Sequence, residues 1–184
     1  MLPAREQSLA LLHEYTQSES LRKHALAVEA CCSFYAPEAE RELWATTGLL
    51  HDFDYERWPQ LPEHPLEGNK ILRQLGYPEA MLHAILGHAS EATGVKRESR
   101  LDVVLFACDE LSGFLTACAL VKPSRSLAEV EPAGVRRKMK DKPFARSVSR
   151  SDIETGAAEL GLPLDEHIAN CLTAMRAIAP QLGL

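Results

Sequence analysis

The chain contains no uninterrupted apolar run near the ~20 residues that a membrane-spanning helix needs. Its first seven residues, MLPAREQ, lack the basic segment and apolar stretch of a signal peptide, so neither a membrane span nor a leader is expected. It has no cysteine pair spaced as CxxC. The five cysteines (Cys31, Cys32, Cys108, Cys118 and Cys171) are odd in number, and most lie in apolar helical text such as LFACDE and LTACAL. They are expected to be reduced core residues of a cytoplasmic protein. There is no basic surplus either: 20 Lys and Arg stand against 26 Asp and Glu, a net charge of -6. Such a chain is not built as a general nucleic-acid coat. A small anionic substrate stays open, because a bound metal reverses the local charge.

Strand-like alternation, internal repeats and low-complexity linkers are missing too. What is present is a 3.6-residue apolar period, interrupted by Pro and Gly. Leu9, Leu12 and Tyr15 mark a first helix. Ser20 is a candidate cap for a second over 21–35, with Leu21, Ala25, Val28 and Cys32 inward. Pro37 suits the first turn of a third, which runs toward His51-Asp52. Residues 54–65, with three prolines, read as loop. Helices are expected over 65–75, from Pro78 to about His88, and over 99–121, where Gly113 allows close packing or a bend. A short helix near 127–130, a basic stretch over 136–142 and helices over 151–160 and 164–179 complete the chain. At 184 residues, 46% of them hydrophobic, the expectation is one all-α domain over 1–184.

Seven histidines punctuate this text. His24 lies mid-helix, His51-Asp52 ends a helix before an irregular segment, and His88 closes another. Asp109 is embedded in LFACDELSGFL, where a carboxylate needs a partner. Imidazole and carboxylate together suit Fe, Mn, Zn, Co or Mg. The intervals from His24 to His51 and from His88 to Asp109 fit helical returns to one centre. His83 competes with His88, but five residues place them about 140° apart on a helix, with His83 nearer the exposed side. His13 and His167 are expected on the surface.

The set His24, His51-Asp52 and Asp109 resembles the signature of the HD-domain superfamily of helical metal-dependent phosphohydrolases. The likeness covers roughly residues 21–121, with a helical extension beyond. His64-Pro65-Leu66-Glu67-Gly68 resembles the H-x-x-x-G segment of the binuclear branch, and Ile85-Leu86-Gly87-His88-Ala89 its next histidine segment. The stretches HDFDYERWP, FACDELSGF and KDKPFARSV are similar to a group of bacterial predicted HD hydrolases that brings no assigned substrate. The lysine after the doublet and the GYP segment of the cyclic-dinucleotide branch are absent here.

The resemblance implies His24, His51, Asp52 and Asp109 as metal ligands, with His64 and His88 completing a second site. One or two divalent ions per chain follow, with Asp52 shared between them. It implies hydrolysis of a phosphoester or phosphoanhydride in a small phosphorylated substrate, nucleotides included, with Asp52 and Asp54 as catalytic carboxylates. Asp54 and Glu56 read as groups that position water, as carboxylates that support a metal ligand from behind, or as solvated loop acids. The densest positive charge, Lys138, Lys140, Lys142 and Arg146 with Lys122 before it, is the expected phosphate-binding feature. Phe144 is a candidate for base stacking or for anchoring that segment, and Trp58 for walling a pocket. A di-iron oxygenase on the same scaffold and a non-catalytic binding module are the alternatives. A monomer or a homodimer fits, and neither membrane nor nucleic acid is an expected partner.

Overall fold

The computed structural model describes residues 2–184, and the described residues contain helices and no strand. The helices are α1 (Arg5–Tyr15), α2 (Glu19–Tyr35), α3 (Arg41–Leu50), α4 (Glu63–Gln74), α5 (Glu79–His88), α6 (Ser90–Thr93), α7 (Arg100–Leu120), α8 (Pro132–Met139), α9 (Arg150–Leu160), α10 (Leu164–Ala177) and α11 (Ala179–Leu182). Short 3-10 turns stand at Glu38–Glu40 and Leu127–Glu129. The fold is all-α, as the apolar period indicates.

The axis of the core is α7. Ser99 caps it: its Oγ accepts from Asp102 N at 3.1 Å, while the Asp102 carboxylate accepts from Ser99 N at 2.9 Å. Leu105, Cys108, Leu111, Phe114 and Leu115 are fully buried. Helices α2, α3, α5, α9 and α10 all pack against it. By length and composition α7 is apolar enough to cross a membrane, which a count of uninterrupted apolar residues does not register. Here its apolar surface is taken up by the surrounding helices.

Two glycines set the closest approaches. A Cβ on Gly48 would lie 2.7 Å from Val28 O, so α3 lies directly on α2. A Cβ on Gly156 would lie 2.6 Å from Ala107 Cα, which seats α9 on α7. Gly113 has neither expected role: a Cβ there would meet nothing within 4 Å, and α7 runs through unbroken.

Several boundaries move. Ser18, not Ser20, caps α2, accepting from Leu21 N at 3.5 Å. The Glu56 carboxylate takes the N–H groups of Gln17 and Ser18 at 2.6 and 3.0 Å, so it serves the start of α2 rather than positioning water. His64 is extended (φ -77°, ψ 132°) although it falls within α4, so the regular turns begin at Pro65 as expected. A residue before proline is disfavoured in the α region. The connection after α5 contains one turn of helix, α6, stopped by Gly94 at φ +74°. The basic stretch is partly helical, within α8.

All five cysteines are buried and free. Trp44 is buried, as its spacing from His51 suggests, and its Nε1–H donates to Glu40 at 2.8 Å. His167 overturns its surface assignment. It is fully buried, with Nε2–H donating to Ala107 O at 2.9 Å and Nδ1 accepting from the Tyr35 hydroxyl at 2.7 Å. A lone polar residue in an amphipathic helix looks solvated until its partners from other helices are in place.

Candidate metal centre

Four histidines converge on two aspartates, and each is oriented by a bond from its other ring nitrogen. His51 follows the last turn of α3. Its Nδ1–H donates to Gly48 O at 2.8 Å, so Nε2 is the nitrogen left to face a metal or a proton. His64, at the extended bend before Pro65, donates Nδ1–H to Asp54 Oδ1 at 2.7 Å. His88, at the end of α5, donates Nδ1–H to Ile85 O. In α2, His24 Nδ1 lies 3.4 Å from Ser112 Oγ. The Ser112 hydroxyl proton goes to Asp109 O at 2.9 Å, so its oxygen accepts from His24. All four Nε2 atoms are thereby available as donors to a metal.

Those Nε2 atoms face carboxylate oxygens. His24 Nε2 is 3.0 Å from Asp109 Oδ1, and His51 Nε2 is 3.3 Å from the same oxygen and 3.4 Å from Asp52 Oδ2. His64 and His88 Nε2 lie 3.1 and 3.4 Å from Asp52 Oδ1. The donors form two groups, His24, His51, Asp52 and Asp109 in one and Asp52, His64 and His88 in the other, with each group's donor atoms within 4.8 Å of one another. Asp52 belongs to both, one oxygen turned to each.

Electrostatics tests whether a cation fits. His51 is fully buried, and its Nε2 makes no hydrogen bond of ordinary geometry. A buried nitrogen without a partner is costly unless something coordinates it. Burial would push the His51 imidazole down, but Asp52 and Asp109 beside it hold its pKa well above the usual value. Burial opposes the rise of His64 too, yet Asp52 and Asp54 lift it to about 9. Asp52 and Asp109 lie below the usual carboxylate range despite burial, held there chiefly by His51. Two aspartates and four imidazoles packed this closely demand positive charge. Protons supply it in the metal-free chain, and divalent metals suit the same nitrogen and oxygen donors.

A family model described as HD domain matches residues 19–113, just over half of the chain. The chain belongs to the HD-domain family. No curated protein and no solved structure matches it. The HD-domain match spans His24, His51, Asp52, His64, His88 and Asp109, the six residues that the geometry brings together.

A cavity of about 630 Å³ opens over these donors, with Asp52, His64, His88 and Asp109 in its floor. Three expectations about its surroundings fail, and one alternative is decided. Asp54 is only 1% exposed, and its second oxygen accepts from Gly68 N at 2.8 Å. It stands behind His64, so it is neither a solvated loop acid nor a carboxylate that reaches substrate. Lys122, Lys138, Lys140, Lys142 and Arg146 do not line this cavity. Lys122 lies thirteen positions after Asp109, beyond the end of α7 and its cap, about 20 Å along the helix. Lys122 and Lys138 border a separate cavity of about 280 Å³ beside Cys118 and Val135. Phe144 stacks edge-on to Phe114 at 5.4 Å and sits under Lys138, so it anchors the basic segment. Trp58 packs near Tyr15 at 6.3 Å instead of walling the cavity, whereas Tyr55 does line it.

The cavity wall also holds residues that sequence reasoning missed: Arg97, Phe106, Glu110, Asp152 and Thr155. Glu110 accepts from Ser149 N at 3.0 Å. Burial, reinforced by Asp109, lifts its carboxyl to about 7. An acid beside a ligand aspartate at position 110 was a readable signal. The α9 contributions were not, since nothing local announces that α9 reaches the centre. His83 stays outside, pairing with Asp102 at 3.0 Å, and His13 is exposed as expected.

Proposed function

We propose that the chain is a metal-dependent phosphohydrolase that cleaves a phosphoester or phosphoanhydride bond of a small molecule. The observation that carries this is the inward convergence of four locked Nε2 atoms on Asp52 and Asp109 beneath an open cavity. His24, His51, Asp52 and Asp109 would hold one divalent ion, and Asp52, His64 and His88 a second. Four imidazoles among six donor residues favour Fe, Mn, Zn or Co over Mg. When bound, such ions supply Lewis acidity, offsetting phosphoryl charge and making water a better nucleophile near neutral pH. The chain's own part is orientation. Gly48 O, Asp54, Ile85 O and Ser112 fix the rings through Nδ1, so the donors need little reorganisation. Tyr55 and Phe106 both contribute aromatic surface to the cavity lining. We read residues 1–184 as one domain acting as a unit.

Elemental analysis of protein purified anaerobically without a metal-binding tag tests the centre. Near two metals per wild-type chain are expected. His51→Ala and Asp52→Ala are each expected to lose most bound metal and most phosphate release from phosphoester substrates. Unchanged metal content in both folded variants would remove the site. Phosphate release assayed with and without oxygen separates hydrolysis from oxygen-dependent turnover.

A further inference from the structure

The cavity over the metal centre is short of cations at the place where a phosphohydrolase is expected to have them. Its one basic wall residue, Arg97, is committed elsewhere. Nε and Nη2 donate to Glu159 at 2.7 and 2.6 Å, and Nη1 donates to Gly87 O and Ser90 Oγ at 3.2 and 2.9 Å. The guanidinium plane lies over the Phe106 ring at 3.7 Å. The same wall carries three carboxylates beyond the metal ligands: Glu91, Glu110 and Asp152. Glu110 is bonded to Ser149 N. Asp152 and Glu91 have no hydrogen-bond or ion-pair partner for their side chains among the described residues.

This arrangement sorts substrates by charge. A terminal phosphoryl group meets positive charge at the floor once metals are bound. A second or third phosphate would face Asp152 and Glu91 with no free cation to offset it, so polyphosphates are repelled. A positive group at the far end of the substrate would find two unpaired carboxylates beside aromatic surface.

Resting on the phosphohydrolase reading, we propose that the substrate is a monophosphoester whose far end carries an ammonium group, received by Asp152 and Glu91. The bond broken is the P–O ester bond. Water supplies the new oxygen on phosphorus, and the amino alcohol leaves with a proton. The amine itself is not altered and serves only recognition.

Two matched pairs of probes test this on the full chain loaded with Mn²⁺. The first pair is 3-aminopropyl phosphate and n-butyl phosphate, compared by kcat/KM for phosphate release. The second is 3-aminopropylphosphonate and n-butylphosphonate, whose C–P bond resists hydrolysis, compared by calorimetric affinity. The ammonium member is expected to be favoured at least tenfold in each pair. Asp152→Asn and Glu91→Gln, separately, are each expected to narrow that ratio to threefold or less, and 0.5 M NaCl to shrink it in the wild type. Equal affinity for the two phosphonates, or a ratio untouched by both variants, would overturn the ammonium assignment while leaving hydrolysis standing. Failure to hydrolyse either ester, with the tenfold phosphonate preference intact, would overturn the hydrolase reading and leave the ammonium site in place.

Discussion

Asp54 shows how a residue two positions from a candidate metal ligand can act at one remove. Its two oxygens accept from His64 Nδ1 and Gly68 N, and it is sealed from solvent. Asp54→Asn retains an acceptor for one of these bonds but loses the negative charge that makes His64 a stronger donor. Affinity for the second metal equivalent is expected to fall about 10–100-fold with the first retained, as calorimetric titration would show. Loss of both equivalents together would argue against two separable sites. The surface lysines make the opposite case. Lys138, Lys140 and Lys142 are dense in the sequence but do not line the centre's cavity. Replacing all three with Ala is expected to leave KM for a phosphoester within twofold of wild type, and a fivefold rise would restore them to the substrate path. Charge density is legible along a chain, whereas distance is not. The six candidate ligands were legible through the resemblance to the HD signature; the doublet at a helix break and Asp109 in apolar text only drew attention to them. Arg97 was not, since its neighbours Glu159 and Phe106 come from other elements.

At the scale of elements, the centre depends on how closely helices approach. Gly156 lets α9 lie on α7 two residues from Asp109, and a Cβ there would strike the Ala107 backbone. Gly156→Ala is expected to cost on the order of 1–3 kcal/mol, read from denaturant unfolding, with a lower metal affinity as α7 shifts. Wild-type stability in that variant would mean that α9 can move away freely. Helix existence was well indicated by apolar period and by Pro and Gly positions, and α5, α7 and α10 fall close to where they were expected. Caps were less legible. Ser18 and Ser20 are both plausible caps in isolation, and the choice is settled by Glu56, which reaches Gln17 and Ser18 from a distant turn. The buried site of His167 likewise exists only once α10 meets α2 and α7.

For the whole molecule, the buried histidines give stability opposing dependences on pH. His64 has a folded pKa of about 9, above its unfolded value of ~6.5. In the metal-free chain its contribution is full below pH ~6.5 and is lost as pH rises toward 9. His167 is shifted downward by burial, so the folded chain resists its protonation and stability falls as pH drops below ~6.5. Chelator-treated protein is therefore expected to melt at its highest temperature near pH 6.5 and lower at pH 8.5. Metal-loaded protein is expected to lose this alkaline decline, because the ion replaces the His64 proton. Calorimetric melts at the two pH values with and without metal check this, and parallel curves would contradict it. The molecule also divides its labour along the chain. The six donor residues lie within residues 19–113, while Asp152 and Thr155 enter the cavity from α9, outside that stretch. If Asp152 receives substrate as proposed, part of the selectivity is encoded outside the stretch that carries the six donors. Varying Asp152 and Thr155 on the eleven-residue α9 would then alter that part of the cavity wall without touching any of the six donors.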